Sequence, residues 1–392
     1  MSKNDHLNKS SANRKRKRRE KRLAMTVIFA LVAVLVLFAA SNWEAVVGHF
    51  EGIGERTLWS GTSDAGFPVR LPGSAGSIDS FDNGFMLLTE TYVYTYGANG
   101  GQRFAHRHGY STAKAAVSGR RILVYDKNGR QFSLFGRSGL IYENDTDERI
   151  VYANIGENGS AAVVFRSDVH ANVLEIYDNS GNWRYTKRFA DENIMQVAFI
   201  SSDNDIIVTT VGFDSGNMTA AVRRLDTSSD DESGLWRAEL PENTIPFAIH
   251  VRGRSVFVLG DSALFVLDSR SGELIGSYEY RGNLIDYVFS DNGCVLLVND
   301  FTAGEIKLIS LGRSAELLGS AEVSQGASQV EIHRGNAAVL EPDAIALFEG
   351  GGRDTGELPL RERLALSEGF SRFAYVRGDI LLLGYNTVER LQ

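Results

Sequence analysis

From residue 76 to residue 392 the chain repeats one pattern eight times: short apolar runs of strand length, each closed by turn residues. The most regular members are residues 91–97 (TYVYTYG), 130–136, 172–178, 219–226, 262–268, 304–310, 343–349 and 386–392. Their last large residues, Tyr96, Phe135, Tyr177, Leu225, Leu267, Ile309, Phe348 and Leu391, lie 39, 42, 48, 42, 42, 39 and 43 residues apart. A more apolar run precedes each, as at 85–90 (FMLLTE), 160–167, 205–212, 294–300 and 379–385. A strand apolar on both faces belongs in the middle of a stack, so these read as second strands and the regular set as third strands. Between them, stretches such as Tyr125-Asp126-Lys127-Asn128-Gly129 and Tyr177-Asp178-Asn179-Ser180-Gly181 supply residues that accept positive φ in hairpin turns. No stretch after residue 50 carries an amphipathic helical period.

An all-β chain with a repeat of about 42 residues and four strands per repeat predicts a β-propeller of eight four-stranded blades. The eighth copy offers strands at 371–378, 379–385 and 386–392 and no fourth. Three strands alone leave an open edge, so the missing strand is expected from the N-terminal side, either 56–61 (RTLWSG) or 67–71 (FPVRL). The first is preferred for its Trp59, because Pro68 in the second removes a ladder donor. A seven-bladed ring with one irregular copy is the alternative.

The N-terminus changes the picture from a free ring to a tethered one. Residues 1–22 hold ten Lys or Arg and two acids, with Arg14, Lys15, Arg16, Lys17, Arg18 and Arg19 in one block. Residues 23–40 then carry no charge and eleven Leu, Ile, Val or Phe, which favours bilayer insertion by about 3–7 kcal/mol. As a helix this run is about 27 Å long, close to the hydrocarbon thickness. Trp43 falls where an interfacial aromatic anchor belongs. The expected division is therefore a cytoplasmic tail (1–22), a transmembrane signal anchor (23–43), a linker (44–54) and an extracytoplasmic propeller (55–392). The basic block reads as the topology determinant that holds the N-terminus in the cytoplasm; a nuclear-import or nucleic-acid tail is the competing reading. A cleaved signal peptide competes with the anchor, although no A-x-A site follows the run.

Beyond residue 22 the chain has 31 basic and 47 acidic residues, a net charge of −16. Such a surface argues against nucleic acid and against an anionic membrane face as partners. The single cysteine, Cys294, forbids an internal disulfide, fits a bacterial rather than an animal exterior, and reads as a small core residue. The acid-rich insertion at 226–234 reads as a solvated loop.

Candidate chemistry is sparse. His106 and His108 stand two apart on a predicted strand, as two metal ligands could, without an identifiable third. Asp203-Asn204-Asp205 lacks the further acids of a calcium loop. First strands line a propeller's channel, so Asp79, His250, Asp286, Glu331 and His333 are the candidate channel lining. No nucleophile elbow, phosphate loop, C-x-x-C or paired His-Glu helix motif occurs, and no cofactor is expected.

The turn Leu267-Asp268-Ser269-Arg270-Ser271-Gly272-Glu273 resembles the repeat of quinoprotein-type propellers, and Tyr177 to Trp183 is similar. In that repeat an outer-strand tryptophan docks on a neighbour, a role Trp183 and Trp236 are placed to take. No Trp-Asp closes a repeat, unlike the WD type. Basic tail, single span and degenerate propeller together resemble an uncharacterised bacterial family of membrane-anchored proteins, which implies fold and location but no catalytic residues. The expected function is a non-catalytic module that binds a protein, peptide or glycan at the cell surface. A propeller hydrolase or quinoprotein-like enzyme with a pocket over the channel is the alternative.

Overall fold

The computed structural model describes residues 66–200, 205–229, 234–350, 356–367 and 369–391. Among these residues it contains eight four-stranded antiparallel sheets, each a blade of a β-propeller. The expected all-β class and the eight-blade count both hold. Seven blades are built from consecutive strands, and their inner strands are Ala75–Phe81, Ala113–Ser118, Ile150–Ile155, Asn193–Phe199, Pro246–Arg252, Asn283–Ser290 and Gln329–His333 for blades 1 to 7. Blade 8 takes Arg372–Val376, Asp379–Leu383 and Thr387–Arg390 from the C-terminal side and Val69–Arg70 from the N-terminal side.

The second strands fill the middle of the stack as the apolar runs demand. Gly84–Thr89 and Ala161–Phe165 are buried along their whole length. Their alternate residues pack into opposite neighbours: Phe85 and Leu87 meet Leu381 and Leu383 of blade 8, whereas Met86 and Leu88 meet Ile122 and Val124 of blade 2. Burying each such side chain is worth roughly 1.5–3 kcal/mol, so the ring is held by apolar faces between blades. Cys294 lies in one of these cores, buried as expected, and its thiol is pushed up by desolvation.

The closing strand corrects the preference for residues 56–61, which lie outside the described residues. Val69 pairs with Val388, Arg70 with Thr387, and the Leu71 N–H donates to Asn386 O at 2.8 Å. Pro68 stands just before the paired residues, so its missing N–H is not needed. Val69 and Leu71 are both buried against Leu383 and Val388. The basic tail with Arg14 to Arg19, the apolar run and Trp43 also lie outside the described residues, among which no helix is long and apolar enough to cross a membrane.

Because strands alternate in direction, each blade has two loop ends. The hairpin face carries the first-to-second and third-to-fourth turns. The crossover face carries the second-to-third turns and the connections between blades. Outer strands dock on the next blade's hairpin: Trp236 lies over Gly272, where a Cβ would sit 2.6 Å from its ring, and its Nε1 donates to Ser269 O at 3.0 Å. Tyr142 covers Gly181 in the same way. Trp236 thus takes the docking role, whereas Trp183 stays 60 % exposed.

Candidate binding site in the central channel

The inner strands of blades 6, 7, 8 and 1, consecutive around the ring, bring Asp286, Glu331, Arg372 and Asp79 together. Arg372 opens its strand at the crossover end, opposite Leu383, and Asp286 stands midway along its strand, opposite Leu297. Glu331 and Asp79 each stand two residues before the first hairpin of their blade, opposite Ala338 and Met86. Three of the five sequence candidates therefore converge.

Their environments differ from those of surface carboxylates. Glu331 is pushed up to about 7, first by burial, then by the neighbouring Asp286 and Asp79 carboxylates, against a Gln329 hydrogen bond and the Arg372 guanidinium. Asp286 is raised chiefly by burial, although its carboxylate accepts the Val330 N–H at 2.9 Å and feels Arg372. Asp79 opens onto the channel yet has protein around it, and that enclosure raises it against Ser77 and Arg372. Three acids facing one arginine leave an anionic channel whose charge is partly removed near neutral pH.

The other two candidates are not brought into this cluster but stack on aromatic rings of the next inner strand. The His250 ring stacks on Phe289 of the next blade, with centroids 5.3 Å apart, and its Nε2 is buried with no hydrogen-bond partner. Burial lowers its pKa first, then Arg252. His333 stacks on Tyr375 of blade 8 at 4.8 Å. Both rings serve blade-to-blade packing.

The metal reading of His106 and His108 also dissolves. His106 sits on an outer strand with its ring edge against Phe135. His108 is buried, its Nε2 paired with Thr89 O and its Nδ1 accepting the Tyr110 N–H. Asp205 is committed to Arg224. Among the described residues no three His, Cys, Asp or Glu group as metal ligands would.

Sequence reasoning missed Arg372 and Gln329. Gln329 hydrogen-bonds Glu331 at 3.2 Å and the backbone of Phe373 at 2.9 Å, tying blade 7 to blade 8 beside the acids. It also missed a cleft of about 370 Å³ on the crossover face between blades 5 and 6, lined by Phe247, Asp261 and residues 283–287. Asp286 belongs to both cleft and channel, so apolar surface from Leu284, Ile285 and Tyr287 leads to the acid cluster. The exposed lining of the cleft is more polar than apolar, and it opens widely to solvent.

The propeller resembles BamB from Moraxella catarrhalis (13% identity, TM-score 0.56, covering 83% of this chain and 96% of that one). It also resembles the C-terminal WD40 domain of Sif2 (13% identity, TM-score 0.60, 82% and 96%) and Saccharomyces cerevisiae Sqt1 (9% identity, TM-score 0.59, 82% and 97%). At these identities the likeness is one of fold. No curated protein matches the chain in sequence. Residues 71–364 match the family of unknown function DUF5711, and the chain belongs to that family.

Proposed function

We propose that the protein is a single-pass, membrane-anchored extracytoplasmic binding module, non-catalytic, whose propeller engages a protein, peptide or glycan through its crossover face. The observation that carries the reading is the cleft between blades 5 and 6 running into the acid-lined channel at Asp286. Phe247, Leu284 and Tyr287 offer apolar and aromatic surface, and Asp261 and Asp286 offer acceptors at its ends. A ligand with an apolar or ring face and a cationic or hydroxyl group fits that chemistry. The uncharged run at 23–40, after ten basic residues, supports the anchor and its orientation. A photo-crosslinker at Phe247 in the full chain, activated in intact cells, tests the reading. One discrete adduct from Phe247, absent when the crosslinker stands at exposed Val169, is the expected result. Equal, diffuse labelling from both positions would defeat it.

One observation favours the enzyme alternative. Glu331, pushed up to about 7 beside two other carboxylates, has the properties of a general acid or base. Among the described residues no three His, Cys, Asp or Glu group with it as metal ligands would. A stoichiometric metal or quinone in the purified protein, or a hydrolytic activity abolished by Glu331→Gln, would move the assignment to this reading.

A further inference from the structure

Outer strands of five blades place a large apolar side chain in water at one shared position: Leu140, Trp183, Leu274, Leu317 and Leu360 in blades 2, 3, 5, 6 and 7. Each stands at a register shift from the third strand; Leu140 faces Phe135, Leu274 faces Leu267 and Leu317 faces Leu311 in this way. Blade 4 departs from the pattern: Trp236 is opposite Arg224 as Tyr142 is opposite Leu134, and two residues earlier, where blade 2 has Leu140, blade 4 has Gly234. Single exposed apolar residues are ordinary on a protein surface. Five in one register on five blades are a pattern.

The geometry selects the partner. All five positions follow the third-to-fourth turn, so they lie on one circle at the edge of the hairpin face. A protein partner would cover an arc of that circle, whereas a plane touches all of it. The circle is open at blade 1, where the position is Gln102, at blade 4, where it is Gly234, and at blade 8. There the chain enters the ring from the N-terminal side, with Gly66 O packed against Gly100 in the blade 1 hairpin. Entry and apolar circle therefore share one edge. Residues 41–65 separate that entry from the uncharged run at 23–40, a reach of at most roughly 90 Å.

We propose that this circle is a bilayer-contact ring, by which the propeller rests its hairpin face on the headgroup–acyl boundary of the membrane; the inference rests on the anchored reading above. The net negative charge of the domain opposes an anionic surface, but apolar side chains insert into a zwitterionic one without charge attraction. Tethering raises the local concentration of that surface, so weak intrinsic affinity is enough. Resting this way turns the crossover face and its cleft away from the membrane, toward a ligand in solution.

Trp183 is a built-in reporter. The full-length chain is reconstituted in phosphatidylcholine nanodiscs with and without brominated acyl chains, and fluorescence quenching is compared for the parent, Trp183→Phe and Trp43→Phe. The expected result is that each substitution removes a share of the quenching, and that Leu274→Asp with Leu317→Asp removes the Trp183 share while circular dichroism and thermal unfolding stay as in the parent. Quenching of Trp43 but not of Trp183 would overturn the ring and leave the anchor standing. Absence of quenching at both would overturn the anchor reading and the ring with it. A Trp183 shielded from an aqueous quencher yet untouched by bromolipid, in a sample that sediments as a dimer, would assign the circle to a second copy and overturn the lipid contact.

Discussion

Gln329 gives both ends of its amide to one residue of the next blade: Nε2 donates to Phe373 O at 2.9 Å, and the Phe373 N–H donates to Oε1 at 2.8 Å. Similar links join other inner strands, from Asn154 Nδ2 to Val197 O at 2.7 Å and from the Val330 N–H to Asp286 at 2.9 Å. Partners stand 43 or 44 residues apart, one blade repeat. Inner strands have a free hydrogen-bonding edge toward the channel, and these side chains satisfy part of it. Gln329→Ala leaves the buried Phe373 amide and carbonyl unpaired and is expected to destabilise the protein by about 1–3 kcal/mol. Urea unfolding checks this, and a change under about 0.5 kcal/mol would deny the bridge a structural role.

Closure makes a second prediction. Val69 and Leu71 are buried against Leu383 and Val388 across the last seam. Removing residues 1–62 leaves the closing strand intact, and that fragment is the reference. Extending the cut to residue 73 removes two buried aliphatic side chains and the pairing to Val388, at a cost of about 4–8 kcal/mol by analogy with large-to-small core changes. Identical thermal unfolding of the two fragments would show that the ring closes some other way.

Glycines at the first hairpins make a third. Gly84 and Gly293 follow the first turn in blades 1 and 6, and a Cβ there would stand 2.0 Å from Tyr96 O and 1.8 Å from Leu311 O. Gly293 also holds a φ of +151°, which alanine resists. Gly84→Ala and Gly293→Ala force second and third strands apart and should each cost about 2–4 kcal/mol, at the upper end of single-substitution effects. Gly216, with open space around it in an exposed turn, is the control, where only the positive-φ cost of about 1 kcal/mol is expected.

What the sequence disclosed depended on how many residues carried each signal. Third strands expected at 91–97, 262–268 and 343–349 appear as Tyr92–Gly97, Ala263–Asp268 and Ala344–Phe348, because alternating burial imposes a period that many residues report together. The closing strand rests on two residues, Val69 and Arg70, and a neighbouring proline outweighed them. In the channel, chain position singled out Asp79, Asp286 and Glu331, which the structure brings together, and it gave no sign that the His250 and His333 rings stack on Phe289 and Tyr375. Glu331 and His333 share one face of an unbulged strand, so what separates their surroundings is the neighbouring blade, and bulges such as the one between Leu284 and Asp286 shift other inner strands without a mark in the sequence. Arg372 and Gln329 carried no motif; only their neighbours give them a role.

The acid cluster makes the last prediction, in pH. Glu331 has an ordinary value of 4.5 and is pushed up to about 7 in the folded ring, so the folded state holds this proton more tightly than the unfolded chain does. The stability contributed by the protonated side chain is full below about 4.5 and is lost as pH rises to about 7, with no further change above. Glu331→Gln keeps the neutral shape and the Gln329 neighbour but cannot ionise. Parent and variant should therefore be equally stable near pH 4.5, and the variant should be more stable by about 1–3 kcal/mol at pH 8. Asp286 and Asp79, both raised, repel the ionised Glu331 and favour its proton, so Asp286→Asn should lower the Glu331 midpoint, whereas Arg372→Gln should raise it. Chemical denaturation at several pH values between 4.5 and 8 reads the stability difference, and carbon-detected NMR of Glu331 reads the midpoint. A variant whose stability advantage is the same at pH 5 and pH 8 would place the Glu331 carboxylate in water, outside the cluster.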